Sequence, residues 1–350
     1  MPTADKRVRE RFEKNWRFHR GTPKGAQRPA FDDKGWRRLR LPHDWSIEGP
    51  FDEKDVSGSG GGYLPGGKAW YRKSFKLPKR DAGKCVRIEF DGVYMNATVW
   101  INGKKVGTQH YGYTSFAFDL TPYVTFGRET NVLAVQVDNS KRPNTRWYSG
   151  SGIYRHVWLT VLDPVHVAHW GTAVSTPEVT DSRATVQVAT TLENAAADDC
   201  EVELHTRIYG PGNKRAGTAV SRQPVRAGRD ATVQQQVQVD DPVRWDVDNP
   251  VLYRAETSVK VGGRVRDTYT TAFGIRTFAF DPDRGFILNG RRLKLKGVDM
   301  HHDNGCLGAA VYDRAEERRV ELMQAIGANA IRTSHNPPSP EFLDACDRLG

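Results

Sequence analysis

The hydrophobic periodicity of this chain changes near residue 285, and that change constrains its fold more than any other feature. Before it, short alternating runs dominate, as in Asn131-Val-Leu-Ala-Val-Gln-Val137, which Asp138-Asn139-Ser140 breaks. Successive side chains of a strand face opposite ways, so alternation of this kind reads as half-buried β-strand. After residue 285 the spacing becomes helical. Val320, Met323 and Ile326 fall about one turn apart, and Gly327 follows where a C-terminal cap belongs. Asp313-Arg-Ala-Glu316 reads as a capping box, with Asp313 accepting from the amide near Glu316 while that carboxylate reaches back. Leu293 to Met300 and Asn329 to Thr333 are strand candidates. Ser339-Pro340 opens a second helix, whose inner face is expected to carry Phe342, Leu343 and Cys346. Strand, loop, helix, strand, loop, helix is the start of a parallel α/β unit. A complete barrel of such units takes roughly 250 residues. The chain has 350, and its first 275 read as β.

Those β residues divide into two units. Seven of the nine Trp precede residue 163, where Asp163-Pro164 marks a turn. Residues 1–163 form an aromatic-rich unit that contains the hairpin Thr98 to Ile101, Asn102-Gly103, Lys104 to Val106. Asn-Gly suits a tight hairpin because both turn positions need positive φ. Residues 164–275 hold short runs at β-sandwich spacing: Ala184 to Thr191, Glu201 to Tyr209, Thr232 to Val239, Leu252 to Val261 and Asp267 to Phe273. A second Asn-Gly hairpin, Phe286 to Leu288 and Leu293 to Leu295 about Asn289-Gly290, belongs to the last segment, 276–350.

Composition removes several function classes. The net charge of +10 is concentrated in residues 1–40, which hold 13 Lys/Arg against 5 Asp/Glu. A nucleic-acid binder wants its basic surface spread over a folded face, so this reads as the solvated start of a folded domain. No apolar run approaches the ~18 residues of a membrane span. Cys85, Cys200, Cys306 and Cys346 are dispersed and read as reduced thiols. The N-terminus has no apolar core of a secretory signal, so a cytoplasmic setting is expected.

Two polar clusters sit where the two late strands end, Asp299-Met-His-His-Asp303 and Arg332-Thr-Ser-His-Asn336. C-terminal strand ends line the active site of an α/β barrel. Metal ligation by His301 and His302 together is disfavoured, because neighbours on a strand point to opposite faces; a polar substrate pocket fits better. The stretch Arg146-Trp-Tyr-Ser-Gly-Ser-Gly-Ile-Tyr-Arg155 sets rings beside hydrogen-bonding groups, as sugar recognition requires. On composition alone, the preferred reading is that Trp147 and Tyr148 are core residues and the glycines serve only a turn.

Leu41-Pro-His-Asp-Trp-Ser-Ile-Glu48, Gly62-Tyr-Leu-Pro-Gly-Gly67 with Trp70-Tyr-Arg72, and Trp147 to Arg155 resemble glycoside hydrolase family 2, in its β-galactosidase branch. Gly297-Val-Asp-Met-His-His-Asp303 and Arg332-Thr-Ser-His-Asn-Pro337 do so as well. β-Glucuronidases and β-mannosidases share that architecture. The resemblance implies a multi-domain, mainly β chain: a jelly-roll β-sandwich, an immunoglobulin-like β-sandwich, then the first βα units of an incomplete (β/α)8 TIM barrel. It places His301 and His335 around the sugar, Arg332 and Asn336 under the pocket floor, and Arg146 and Trp147 on a loop over the barrel mouth. Some family members carry a carboxylate near the place of Arg146.

A retaining glycosidase needs two carboxyl groups roughly 5–5.5 Å apart. The resemblance puts both on later barrel strands, beyond Gly350, so the chain alone is expected to be inactive. Asp299 and Asp303 do not read as substitutes. No cofactor is expected within the chain, and Mg2+ or Na+ is expected only of a full-length enzyme. The expected partners are a carbohydrate, a β-galactoside, together with the rest of the barrel or a second copy of the chain, and neither nucleic acid nor membrane. The rival reading is a non-catalytic carbohydrate-binding protein.

Overall fold

A computed structural model describes residues 7–350; part of the basic N-terminal segment, residues 1–6, lies outside them. The first unit is a sandwich of two antiparallel sheets. One has four strands in the order Val8–Arg11, Val157–Leu162, Cys85–Phe90, Phe116–Asp119. The other has six, Arg37–Leu39, Trp16–Arg20, Gly67–Phe75, Asn131–Asn139, Ala97–Ile101, Lys104–Gln109. Alternate residues point inward: Val86, Ile88 and Phe90 from one sheet meet Tyr71, Val99, Ile101, Leu133 and Val135 from the other. Each such side chain contributes roughly 1.5–3 kcal/mol by burial. Trp16, Trp45 and Tyr71 are fully buried in the same core, which accounts for the aromatic bias of the first 163 residues. Asn102 and Gly103 take φ of 49° and 81°. The Asn102 side chain also donates to Tyr123 O at 2.9 Å and accepts from Val132 N at 2.8 Å, so the turn is fixed twice.

The second unit pairs a three-stranded sheet, Val165–Val179, Arg183–Asn194 and Arg229–Asp240, with a four-stranded one, Arg215–Val225, Cys200–Tyr209, Tyr253–Val261 and Arg264–Phe273. These seven antiparallel strands form the immunoglobulin-like sandwich. Val165–Val179 and Arg215–Val225 escape a periodicity reading because apolar Trp170 and Val220 are exposed while polar Thr172, Ser221 and Gln223 take half-buried positions. The strand Val165–Val179 is also interrupted by a bulge between Val167 and Thr172.

The last segment begins with a small three-stranded antiparallel sheet, Phe278–Asp281, Gly285–Leu288 and Arg291–Arg292, whose last two strands form the second Asn-Gly hairpin. Leu293 to Leu295 does not form its returning strand: only Leu293 N reaches back, to Phe286 O. Nor does the following strand start at Leu293. It spans Gly297–His301 and pairs in parallel with Ala330–Ser334, Gly297 opposite Ala330 and His301 opposite Ser334. Helix α1 (Asp313–Ala325) and helix α2 (Pro340–Leu349) cover one face of this pair, where Val320, Phe342 and Ala345 pack on Met300 and Ile331.

Three expectations for the helices are corrected. Tyr312, not Asp313, is the N-cap of α1, and no side chain caps it. The Asp313 carboxylate is drawn instead to Arg11 and His156 of the first sandwich, while Glu316 is buried and accepts from Asn304 Nδ2 at 2.8 Å. Ile326 and Leu343 stand exposed rather than inward. Helix α2 begins as its sequence indicates, with Ser339 accepting from Phe342 N at 3.2 Å and Pro340 in the first turn.

Candidate functional site

The parallel register carries Asp299, His301, Arg332 and Ser334 to one end of the strand pair, the C-terminal end. Arg332 Nη1 donates to Asp299 Oδ1 at 3.0 Å and Oδ2 at 3.1 Å, and Ser334 Oγ also donates to Asp299 Oδ1. The Ser334 hydrogen bond and the Arg332 guanidinium hold the Asp299 carboxyl below its ordinary range. Arg332 Nη2 lies 3.2 Å from His335 Nδ1. Asp299 therefore braces the neighbouring strand end. Arg332 is well exposed, whereas Asn336 is buried, with its Nδ2 unpaired among the described residues.

The Trp147 ring comes from the first sandwich and meets this end. Its centroid lies 4.8 Å from His335 and 5.9 Å from His301, and the two imidazoles meet edge to face at 5.1 Å. Trp147 Nε1 donates to Tyr113 OH at 3.1 Å. Tyr148 is packed inward with Tyr94, Tyr113 and Tyr154, so of the two adjacent rings one lines the site and one joins the core. Arg146 is exposed and forms no hydrogen bond or ion pair among the described residues, so it is not drawn into the cluster.

His301 and His302 diverge, as strand geometry requires. His302 is buried between the rings of Tyr113 and Tyr154, with Nε2 3.4 Å from Ser149 O. Burial, helped by the Arg155 charge, pushes its pKa down to about 3. It is a neutral wall behind the pocket. Arg155, fully buried, donates to Tyr113 O at 3.0 Å and Pro337 O at 2.8 Å, tying the first sandwich to the segment after His335.

Two residues that sequence reasoning passed over organise this junction. Asp44, inside the Leu41 to Glu48 motif, is buried between the loops. His156 is the other: Nδ1 pairs with Glu13, Nε2 lies 2.7 Å from Asp313, and Glu341 stands 3.7 Å away. Burial opposes a charge on His156, but the Glu13 hydrogen bond and the carboxylates of Glu341 and Glu13 outweigh it and raise its pKa. His156, Asp313 and Glu341 bring ligand atoms within 4.8 Å of one another. A cation there would have to displace Arg11 from Asp313, which it holds at 2.5 Å, and take His156 from Glu13. Two of the three donors, His156 and Asp313, are already engaged in internal ion pairs.

Three models of one family match in order along the chain. They are glycosyl hydrolases family 2, sugar binding domain, at residues 63–163, glycosyl hydrolases family 2 at 165–276, and the family's TIM barrel domain at 282–350. The chain belongs to glycosyl hydrolase family 2. It is 50% identical to the β-galactosidase BoGH2A of Bacteroides ovatus over 98% of its own length and 40% of that protein's. It is 36% identical to a putative β-glucuronidase of Formosa agariphila over 99% of its length and 33% of that protein's. Among solved structures, a family 2 member from Bacteroides cellulosilyticus superposes with a TM-score of 0.95 at 43% identity, covering 98% of this chain and 45% of that one. A β-glucuronidase of Bacteroides uniformis gives 0.90 at 33% identity, covering 99% and 41%. The family 2 chain thus spans less than half the length of these relatives.

Proposed function

We propose that this chain forms the sugar-holding part of a retaining β-glycosidase site specific for terminal β-D-galactosides. The observation that carries the reading is the convergence of Trp147 with His301 and His335. An indole face can pack against the C–H surface of a pyranose while ring nitrogens hydrogen-bond its hydroxyls. Asp299 is engaged by Arg332 and Ser334, so in this reading it positions the pocket and does not attack or protonate. The hydrolytic carboxyl pair comes from other barrel strands. The 50% identity to a β-galactosidase favours galactosides over glucuronides.

Calorimetric titration of the chain with methyl β-D-galactoside and methyl β-D-glucuronide tests it. Galactoside binding at millimolar strength that weakens on Trp147→Ala is expected. Preference for the glucuronide would overturn the specificity. Galactoside binding that survives His301→Ala and His335→Ala would favour a carbohydrate-binding module over an enzyme site.

A further inference from the structure

The Asp44 carboxylate is buried, and it sits between three segments distant in sequence. Its Oδ1 accepts from Ser46 N at 2.9 Å, within its own loop, and from Ser151 N at 2.8 Å. Its Oδ2 accepts from Tyr148 OH at 2.5 Å and from Ala309 N, in the barrel loop before α1, at 2.9 Å. Four donors on one buried carboxylate satisfy a group that would otherwise be costly to bury. The surrounding backbone is shaped to admit it. Gly150 and Gly308 both have positive φ, 67° and 61°, and a Cβ at either would strike Asp44 Oδ2. The partner of Oδ2, Tyr148, directly follows the ring that meets His301 and His335.

We propose that Asp44 is a positioning residue for this pocket: its carboxylate locks the 146–151 loop to the 304–310 barrel loop and so sets where Trp147 stands against His301 and His335. The sandwich and barrel halves of the site are then registered by one side chain that touches neither sugar nor imidazole. Burial and the Asp44 charge hold the Tyr148 phenol protonated, so the donor is retained across the working pH range. This inference rests on the pocket reading only for what the pocket holds. The position of Trp147 is measurable with no sugar present.

Asp44→Asn keeps the size and the Oδ1 acceptor but can set an amide N–H against the Ala309 N–H and the Tyr148 hydroxyl. Tyr148→Phe removes one donor alone and keeps the ring packed. The test is amide hydrogen exchange of both variants, with acrylamide quenching of Trp147 isolated by subtracting Trp147→Phe spectra. Exchange in 146–151 and 304–310 should quicken roughly ten- to a hundredfold. Trp147 should become more quenchable, while exchange in the strand Asn131–Asn139 stays unchanged. Wild-type exchange in both loops, or acceleration spread evenly through every strand, would overturn the proposal. So would unaltered Trp147 quenching. Absent sugar binding with these responses present would count against the proposed function and leave this inference standing.

Discussion

His302 shows how two neighbouring residues of one type come to differ. It follows the last residue of the strand, His301, and the alternation of side-chain direction turns it away from the pocket into a wall of tyrosines. With its pKa pushed down to about 3, it stays neutral in the folded chain while an unfolded His protonates near pH 6.5. Between those values the unfolded state binds the extra proton, so this group lowers stability as pH falls from about 6.5 towards 3. The full effect is on the order of a few kcal/mol. His302→Phe should flatten that acid limb, as read by thermal unfolding from pH 7 to 4; an unchanged limb would contradict a neutral buried imidazole. His301 and His335 were legible because each sits in a polar cluster at a predicted strand end. Asp44 and His156 were not, because their partners lie far along the chain, Ala309 at a separation of 265 and Asp313 at 157. Only the folded chain brings them together.

Local patterning decided which elements could be read. Helix α2 is announced by Ser339-Pro340, and the hydroxyl does cap Phe342 N. Ser339→Ala should cost about 1 kcal/mol, measurable by chemical denaturation, with increased exchange confined to the first turn of α2. The capping box expected at Asp313 does not form, and α1 starts one residue earlier than that box implies, with Tyr312 as its N-cap. Asp313 sits in the first turn, but Arg11 and His156 compete for its carboxylate with charge-assisted bonds that outweigh a neutral cap. The strands with clean apolar alternation, such as Arg183–Asn194 and Arg229–Asp240, were visible. Val165–Val179 and Arg215–Val225 were not, since Trp170 and Val220 face solvent while Thr172, Ser221 and Gln223 take half-buried positions, which blurs the alternation.

Across the whole molecule, part of the basic first segment is engaged in ion pairs within the first sandwich and across to the other two units. Arg7 pairs with Asp267, Arg9 with Glu89, Arg11 with Asp313 and Arg40 with Glu13. His156 is the hub of this network, joining Glu13 of the sandwich to Asp313 and Glu341 at the N-termini of both barrel helices. Its folded pKa is raised, so its contribution is fully present below about pH 6.5 and is lost as pH rises through the folded value. His156→Gln should lose roughly 3 kcal/mol at pH 6, by leaving buried Glu13 with only the exposed Arg40 at 3.5 Å as its cation, and should show less decline between pH 6.5 and 9. Thermal unfolding followed at both pH values checks the sign.

The central claim is that sandwich and barrel together build one sugar pocket. A crystal structure of the chain soaked with methyl β-D-galactoside tests it most directly. The account predicts the pyranose against the Trp147 ring, with hydroxyls within hydrogen-bond reach of His301 and His335. A sugar bound elsewhere on the first sandwich, with the Trp147 and histidine rings uncontacted, would contradict it.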